Sequence, residues 1–190
     1  MATTELIPGG RRWRLPGGVR AAWLGAYAAI WVATLGSAAL VALLGAPVTR
    51  AVHHLLGLRL EPDRNPPPQV GHVLALAAHN IAIAAWPLLL GVAGAHQHRL
   101  ARHVADGVLL ACIAVNTVLV GGALGAYGTS LLPYIPQLPL EWAALALGAS
   151  SWLTHRRTAR TFAEALVWLA AIACLLVCAA VLETGAVPHR

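Results

Sequence analysis

Five long apolar segments constrain the fold more than any other feature of this 190-residue sequence. A membrane-crossing helix needs about 20 consecutive apolar residues at 1.5 Å each. The segments with this character are residues 23–46, 70–95, 104–127, 138–153 and 162–182. The fourth segment is the shortest, and it begins in a proline-rich string. The sequence therefore predicts an all-α integral membrane protein, a bundle of about five transmembrane helices.

Composition supports the same class. Hydrophobic residues make up 58% of the chain and charged residues 11%, against about 25% charged residues in a soluble domain. The basic charge consists of arginine alone and lies between the apolar segments. No stretch combines basic and aromatic residues in the way that nucleic-acid-binding surfaces do. We therefore expect the lipid bilayer as a partner, and no nucleic acid.

The arginines predict an orientation. Nine of the 13 basic residues fall on one side of the bundle: Arg11, Arg12, Arg14, Arg20, Arg99, Arg102, Arg156, Arg157 and Arg160. The positive-inside rule puts that side in the bacterial cytoplasm. Residues 1–22 are then a basic cytoplasmic segment, residues 23–184 a single bundle, and residues 185–190 an outer tail. The outer loops are short and rich in proline, apart from the loop over residues 47–69.

The outer loop over residues 47–69 has two parts. Val48, Val52, Leu55 and Leu56 recur at helical spacing, which predicts a short helix lying in the membrane interface. Residues 61–68 are rich in proline and predict an extended connector.

Polar side chains inside the apolar segments are the candidate functional residues. Such groups are expensive in hydrocarbon and usually face a protein interior. They gather toward the outer half of the bundle: His72, His79, Asn80, Asn116, Thr117, Tyr134, Gln137 and Glu141. One interpretation is a shared binding site. The other is structural, because amides and imidazoles inside membrane helices often only join neighbouring helices.

Glu141 is the residue with the strongest chemical implication. A carboxylate at that depth needs a partner or stays protonated, and His79 is the partner that we expect. We predict that Glu141 faces the bundle interior within reach of His79 or Asn80. A Glu141–His79 pair facing an outward pocket has the composition of a general acid–base site. Glu141 also lies in the first turn of its predicted helix, where a carboxylate can accept hydrogen bonds from free backbone amides. Catalysis and helix bridging both remain open.

A second polar group lies in the inner turn between the second and third segments. His96, His98, His103 and Asp106 include side chains that bind metals. Their spacing matches no dedicated metal motif, and Arg99 and Arg102 would repel a cation. We interpret the turn as a basic segment that contacts lipid headgroups. Nucleotide-binding and haem-attachment motifs are also absent from the sequence, so no metal and no cofactor are predicted.

Three segments carry a family resemblance. Residues 79–94 begin with His79-Asn80 and end in a glycine-rich stretch, residues 116–125 begin with Asn116-Thr117 and continue into small residues, and residues 136–141 space a proline and a glutamate five residues apart. Together they resemble the stage II sporulation protein M family of membrane proteins, also called DUF95. In that family an Asn-Asn pair opens the first segment, an Asn-Gly lies in the second, with Thr117 here at the glycine position, and the third has the signature Pro-His-Gly-x-x-Glu, with Gln137 here at the histidine position. The resemblance covers residues 70–153.

The resemblance implies a helical membrane protein that acts beside a partner. Members of the family serve in a cell-wall remodelling complex or assist the maturation, export or immunity of ribosomally made peptides such as bacteriocins. We therefore expect a multi-pass subunit in the bacterial cytoplasmic membrane that assists peptide maturation or export within a hetero-oligomer. The alternatives are a membrane enzyme that epimerises or dehydrates a bound peptide by acid–base chemistry, a wall-remodelling scaffold, and a small transporter or immunity protein.

Overall fold

The computed structural model describes residues 17–57, 70–94, 97–156 and 161–186 of the chain. All regular elements in these ranges are helical. They are α1 (Gly17–Leu44), α2 (Ala46–Leu56), α3 (Val70–Val92), α4 (Arg99–Tyr127), a 3-10 helix (Gly128–Tyr134), α5 (Leu138–His155) and α6 (Phe162–Ala186). The predicted all-α class is confirmed.

Each of the five predicted segments forms a helix, although the helices differ in apolarity. Four stretches are long and apolar enough to cross a membrane: Gly18–Leu44, Val73–Val92, Arg99–Leu132 and Phe162–Gly185. Helix α5 is not among them. By length and composition, four helices of the described residues can therefore cross a membrane. A fifth crossing, by α5, stays a prediction. Helix α1 begins at Gly17, earlier than the predicted Trp23.

Helix α5 occupies the centre of the bundle. It packs against α1, α3 and α6, whereas α1 packs mainly on α4 and α3 mainly on α6. Most α5 side chains are buried, including the hydroxyls of Ser150 and Ser151. The indole of Trp23 on α1 donates a hydrogen bond of 3.1 Å to the carbonyl of Ala143. Because protein rather than lipid surrounds α5, this helix tolerates polar residues that an outer helix would expose to lipid.

The molecule has two ends of different character. Asn80 of α3 meets Glu141 of α5, and Ala84 meets Gly148 further along both helices, whereas the first part of α4 meets the end of α5 through Asp106 and Arg156. Helices α3 and α5 therefore run in the same direction, opposite to α4. We call the end with Arg20, Arg99, Arg102 and Arg156 the arginine end. The other, with α2 and the 3-10 helix, is the α2 end.

Helix α2 is the short helix that the spacing in residues 47–69 predicts. It follows α1 directly after Gly45, whose φ of 72° lies in a region that favours glycine and turns the chain. None of the α2 residues is buried. A His53 ring nitrogen lies 3.1 Å from the carbonyl oxygen of Ala126, and the His53 and Tyr127 rings are in contact, tilted by 44° with their centroids 4.3 Å apart. These contacts attach α2 to the end of α4. The predicted connector over residues 61–68 lies outside the described residues.

Helix α5 packs closely against the backbone of α3, and α4 packs closely against the backbone of α1. A methyl group at Gly148 of α5 would overlap the carbonyl oxygen of Ala84 on α3. A methyl at Gly121 of α4 would overlap the carbonyl oxygen of Thr34 on α1. Small residues of this kind drive helix association in membranes, because lipid leaves no hydrophobic force between helices.

We expect Gly148→Ala and Gly121→Ala to lower the thermal unfolding midpoint of the detergent-solubilised protein. The added methyl must push a backbone away, and overpacking of this type costs about 1–3 kcal/mol. Gly25→Ala is the matched control, because nothing lies within 4 Å of a methyl group there. Equal midpoints for Gly148→Ala and Gly25→Ala would contradict the close packing of α3 on α5.

Candidate functional site

A small polar cavity lies between four helices toward the α2 end. Its polar lining comes from Asn80 on α3, Asn116 on α4 and Glu141 on α5, and Leu176 on α6 completes the wall. Its volume is about 50 Å³. A buried water needs about 10–15 Å³ of such space, so the cavity has room for a few water molecules. We refer to it as the polar cavity.

The Asn80–Glu141 hydrogen bond is the central contact of the polar cavity. The Asn80 amide nitrogen donates to a Glu141 carboxyl oxygen over 3.2 Å. Both side chains are half-buried, so neither group depends wholly on water. The bond joins α3 to α5 one turn into α5, where the helix dipole favours negative charge.

The sequence predicts that the Glu141 carboxylate accepts hydrogen bonds from free backbone amides at the start of α5, and the structure shows a different contact. The residue preceding that helix makes no side-chain cap hydrogen bond. The backbone nitrogen of Glu141 donates instead to the carbonyl of Gln137 over 3.1 Å. Because the Glu141 side chain lies toward α3, it accepts its hydrogen bond from Asn80 and not from the first amides of α5.

Asn116 and Trp142 supply further polar groups. The Asn116 amide nitrogen donates to the carbonyl of Cys112, one turn earlier on α4, over 2.8 Å. Trp142 lines the cavity and is 4% exposed, and among the described residues its indole N–H has no acceptor. Buried N–H groups are nearly always hydrogen-bonded to protein or to ordered water. Water in the polar cavity would satisfy this requirement where the indole reaches it.

Two features of the neighbouring helices add to the polarity of the site. Pro87 lies inside α3 and has no N–H to donate to the carbonyl oxygen of Ile83. Ile83 lines the polar cavity. Glu183 on α6 lies close enough to act electrostatically on Glu141. Neither Trp142 nor Glu183 is among the site residues predicted from the sequence. Glu183 falls just past the predicted end of the fifth segment, and nothing in a tryptophan within an apolar run distinguishes it from a core residue.

The structure does not bring His79 to Glu141. His79 is exposed, and the partner of the carboxylate is the next residue along α3, Asn80. Successive residues on an α-helix lie about 100° apart around its axis. A helix that presents Asn80 to α5 therefore turns the His79 side chain away. The expected Glu141–His79 pair is replaced by an amide–carboxylate pair.

The other predicted site residues are dispersed. Thr117 is 1% exposed, but its hydroxyl donates within α4 to the carbonyls of Ile113 and Ala114, on the side that faces α1. Gln137 is buried just before α5, and its carboxamide oxygen has no donor among the described residues. Neither lines the polar cavity. The side chains of His72 and Tyr134 lie outside the described residues.

The inner turn does not form a metal site within the described ranges. Asp106 points to α5, where it accepts a hydrogen bond of 2.8 Å from the Trp152 indole and one from Arg156. No group of three or more metal-binding side chains comes together among the residues described. His96 lies outside them. Asp106 thus ties α4 to α5 at the arginine end.

Comparisons of the chain with family models, curated proteins and solved structures find no match in any of the three. The resemblance to the stage II sporulation protein M family therefore stays a prediction that depends on the residues quoted for it.

We expect Glu141→Gln to preserve the folded protein and Glu141→Leu to reduce its yield and thermal midpoint. Glutamine keeps an oxygen that can accept from Asn80, whereas leucine leaves a half-buried amide without its partner, at a cost of about 1–3 kcal/mol. His79→Ala is the control, since His79 is exposed. The measurement is fluorescence-detected size exclusion after heating. An effect of His79→Ala equal to that of Glu141→Leu would contradict the assignment of Asn80 as the partner.

Proposed function

We propose that this chain is a multi-pass subunit of a bacterial cytoplasmic-membrane assembly that assists the maturation or export of a ribosomally made peptide. The observation that carries the proposal is the size of the polar cavity. About 50 Å³ admits water but no segment of peptide. A peptide would therefore have to be bound by a partner protein or at a surface shared with one. The resemblance to the stage II sporulation protein M family supports the same role.

The geometry favours a subunit over a self-sufficient enzyme. Acid–base chemistry on a peptide needs a reacting group within hydrogen-bond reach of the substrate. Glu141 already binds Asn80 and faces a cavity that would exclude a peptide backbone. Its proposed role is to hold α3 and α5 together. Epimerisation or dehydration at Glu141 would require the helices to separate first.

The proposed topology has five crossings with the N-terminus in the cytoplasm. Four of the five described arginines lie at the arginine end, and Arg50 is the exception. The positive-inside rule would place that end in the cytoplasm. Helix α5 would cross as the fifth helix, sheltered from lipid by α1, α3 and α6. Its lower apolarity is compatible with this position, because its polar residues contact protein.

Cysteine labelling in intact cells tests the topology. We expect Thr129→Cys, at the α2 end, to react with a membrane-impermeant maleimide, and Gln97→Cys, at the arginine end, to react only after the cells are broken. Both side chains are exposed. The unmodified protein gives the background from Cys112, Cys174 and Cys178. The reverse pattern would refute the proposed orientation.

A deletion strain of the native host tests the function. Secreted peptides are compared by mass spectrometry between the wild type, the deletion strain and strains complemented with Glu141→Gln or Glu141→Leu. We expect a mature peptide to disappear on deletion, to return with the glutamine variant and to return less with the leucine variant.

Purification of the protein in mild detergent from the same host is the second test of the proposed function. A membrane partner that co-purifies in stoichiometric amount is expected. An unchanged set of secreted peptides together with a lone monomer would refute the subunit proposal. Loss of the peptide with both variants at normal protein levels would favour the enzyme alternative instead.

A further inference from the structure

A groove on the outside of the bundle lies between α1 and α4, separate from the polar cavity. Two adjoining hollows form it, with volumes of about 350 Å³ and about 500 Å³, and they share Ala29, Leu110 and Ile113. The walls are almost wholly apolar, from Ala29, Ala33 and Leu40 on one side and Leu110 and Val118 on the other. We call this the α1–α4 groove. Because its outer residues are exposed, it opens sideways, where the proposed topology places lipid tails.

The α1–α4 groove runs along much of both helices. On α4 it extends from Asp106 to Val118 and on α1 from Ala26 to Leu40, rises of about 18 Å and about 21 Å at 1.5 Å per residue. One leaflet contributes half of a hydrocarbon core about 30 Å thick. The groove therefore has room for one extended acyl chain.

The arginine end of the groove is basic. Arg156 lines the groove and donates through one terminal nitrogen to Asp106. Arg99 and Arg102 precede Asp106 by seven and four residues on α4, so they lie on the same helix face, nearer the membrane surface. Basic residues at this depth attract anionic lipid headgroups.

We propose that the α1–α4 groove binds one anionic phospholipid. One acyl chain fills the apolar hollow beside Ala29 and Ala33, and the phosphate lies among Arg156 and Arg102. The acyl chain fills space that would otherwise leave the walls of α1 and α4 without contacts.

The charge beside the groove favours a lipid over a second helix. Arg99 and Arg102 lie at its arginine end, where they complement a phosphate. An apolar partner helix would offer no such counter-charge. The proposal does not depend on the proposed role in peptide maturation, since it concerns a different face of the bundle.

Native mass spectrometry of the delipidated, full-length protein tests the proposal. Phosphatidylglycerol is expected to bind with a stoichiometry of one and to raise the thermal midpoint. Phosphatidylcholine should bind about ten-fold more weakly, the size of effect expected from one or two basic side chains beside an anionic headgroup. Ala29→Phe, which fills the groove, and Arg102→Gln, which removes a charge, should each weaken phosphatidylglycerol binding. Ala33→Leu is the milder alternative if the phenylalanine variant does not fold.

Matched controls lie on other surfaces. Ala170→Phe makes the same change in size at an exposed position on α6, and Arg50→Gln removes an arginine from the α2 end. Neither should alter the affinity. Unchanged binding by both groove variants would overturn the proposal, as would an equal loss with Ala170→Phe, which would indicate only general lipid adsorption. A groove variant that changes the oligomeric state but not lipid binding would assign the groove to a second copy instead.

Discussion

The enclosure of α5 by its neighbours is the constraint on which the rest of the structure depends. Small residues along α5, with Gly148 at the closest approach, let the α3 backbone come within contact of α5. Helices in lipid associate through such packing and through hydrogen bonds between them. Once α1, α3 and α6 surround α5, its serines and Glu141 face protein. A helix that is too polar to be recognised as a membrane span by composition can therefore occupy the centre.

The polar cavity follows from this arrangement. Glu141 faces α3 and accepts from Asn80, while Asn116 and Trp142 bring amide and indole groups to the same space. Pro87 removes one helical donor from α3 at the level of Ile83. The packing that excludes lipid from the centre leaves a volume suited to water. A volume of this size supports the proposed role beside a partner protein.

The α1–α4 groove lies on the outside of the bundle, where two helices leave space between them. Helices α1 and α4 touch closely at Gly121 and Gly125 and leave an apolar hollow toward the arginine end. At that end Asp106 joins α4 to α5 through Trp152 and Arg156. The inside and the outside of the bundle therefore differ in what they offer. The polar cavity lies between α3, α4, α5 and α6, whereas the outer face between α1 and α4 offers apolar volume that ends beside cationic side chains.

The sequence by itself determined the all-helical class, the approximate position of every long helix, the short α2 and the placement of Glu141 near Asn80 and Asn116 in depth. These features depend on local composition and on distance along a helix, which the order of residues specifies directly. Tertiary structure decided which side chains meet. Rotation of α3 about its axis selects Asn80 over His79 as the partner of Glu141, and rotation of α4 turns Thr117 toward α1. Apolar segments with weak amphipathic patterns carry little information about that rotation, because lipid and protein both accept apolar faces. Only the fit of one helix against another fixes it.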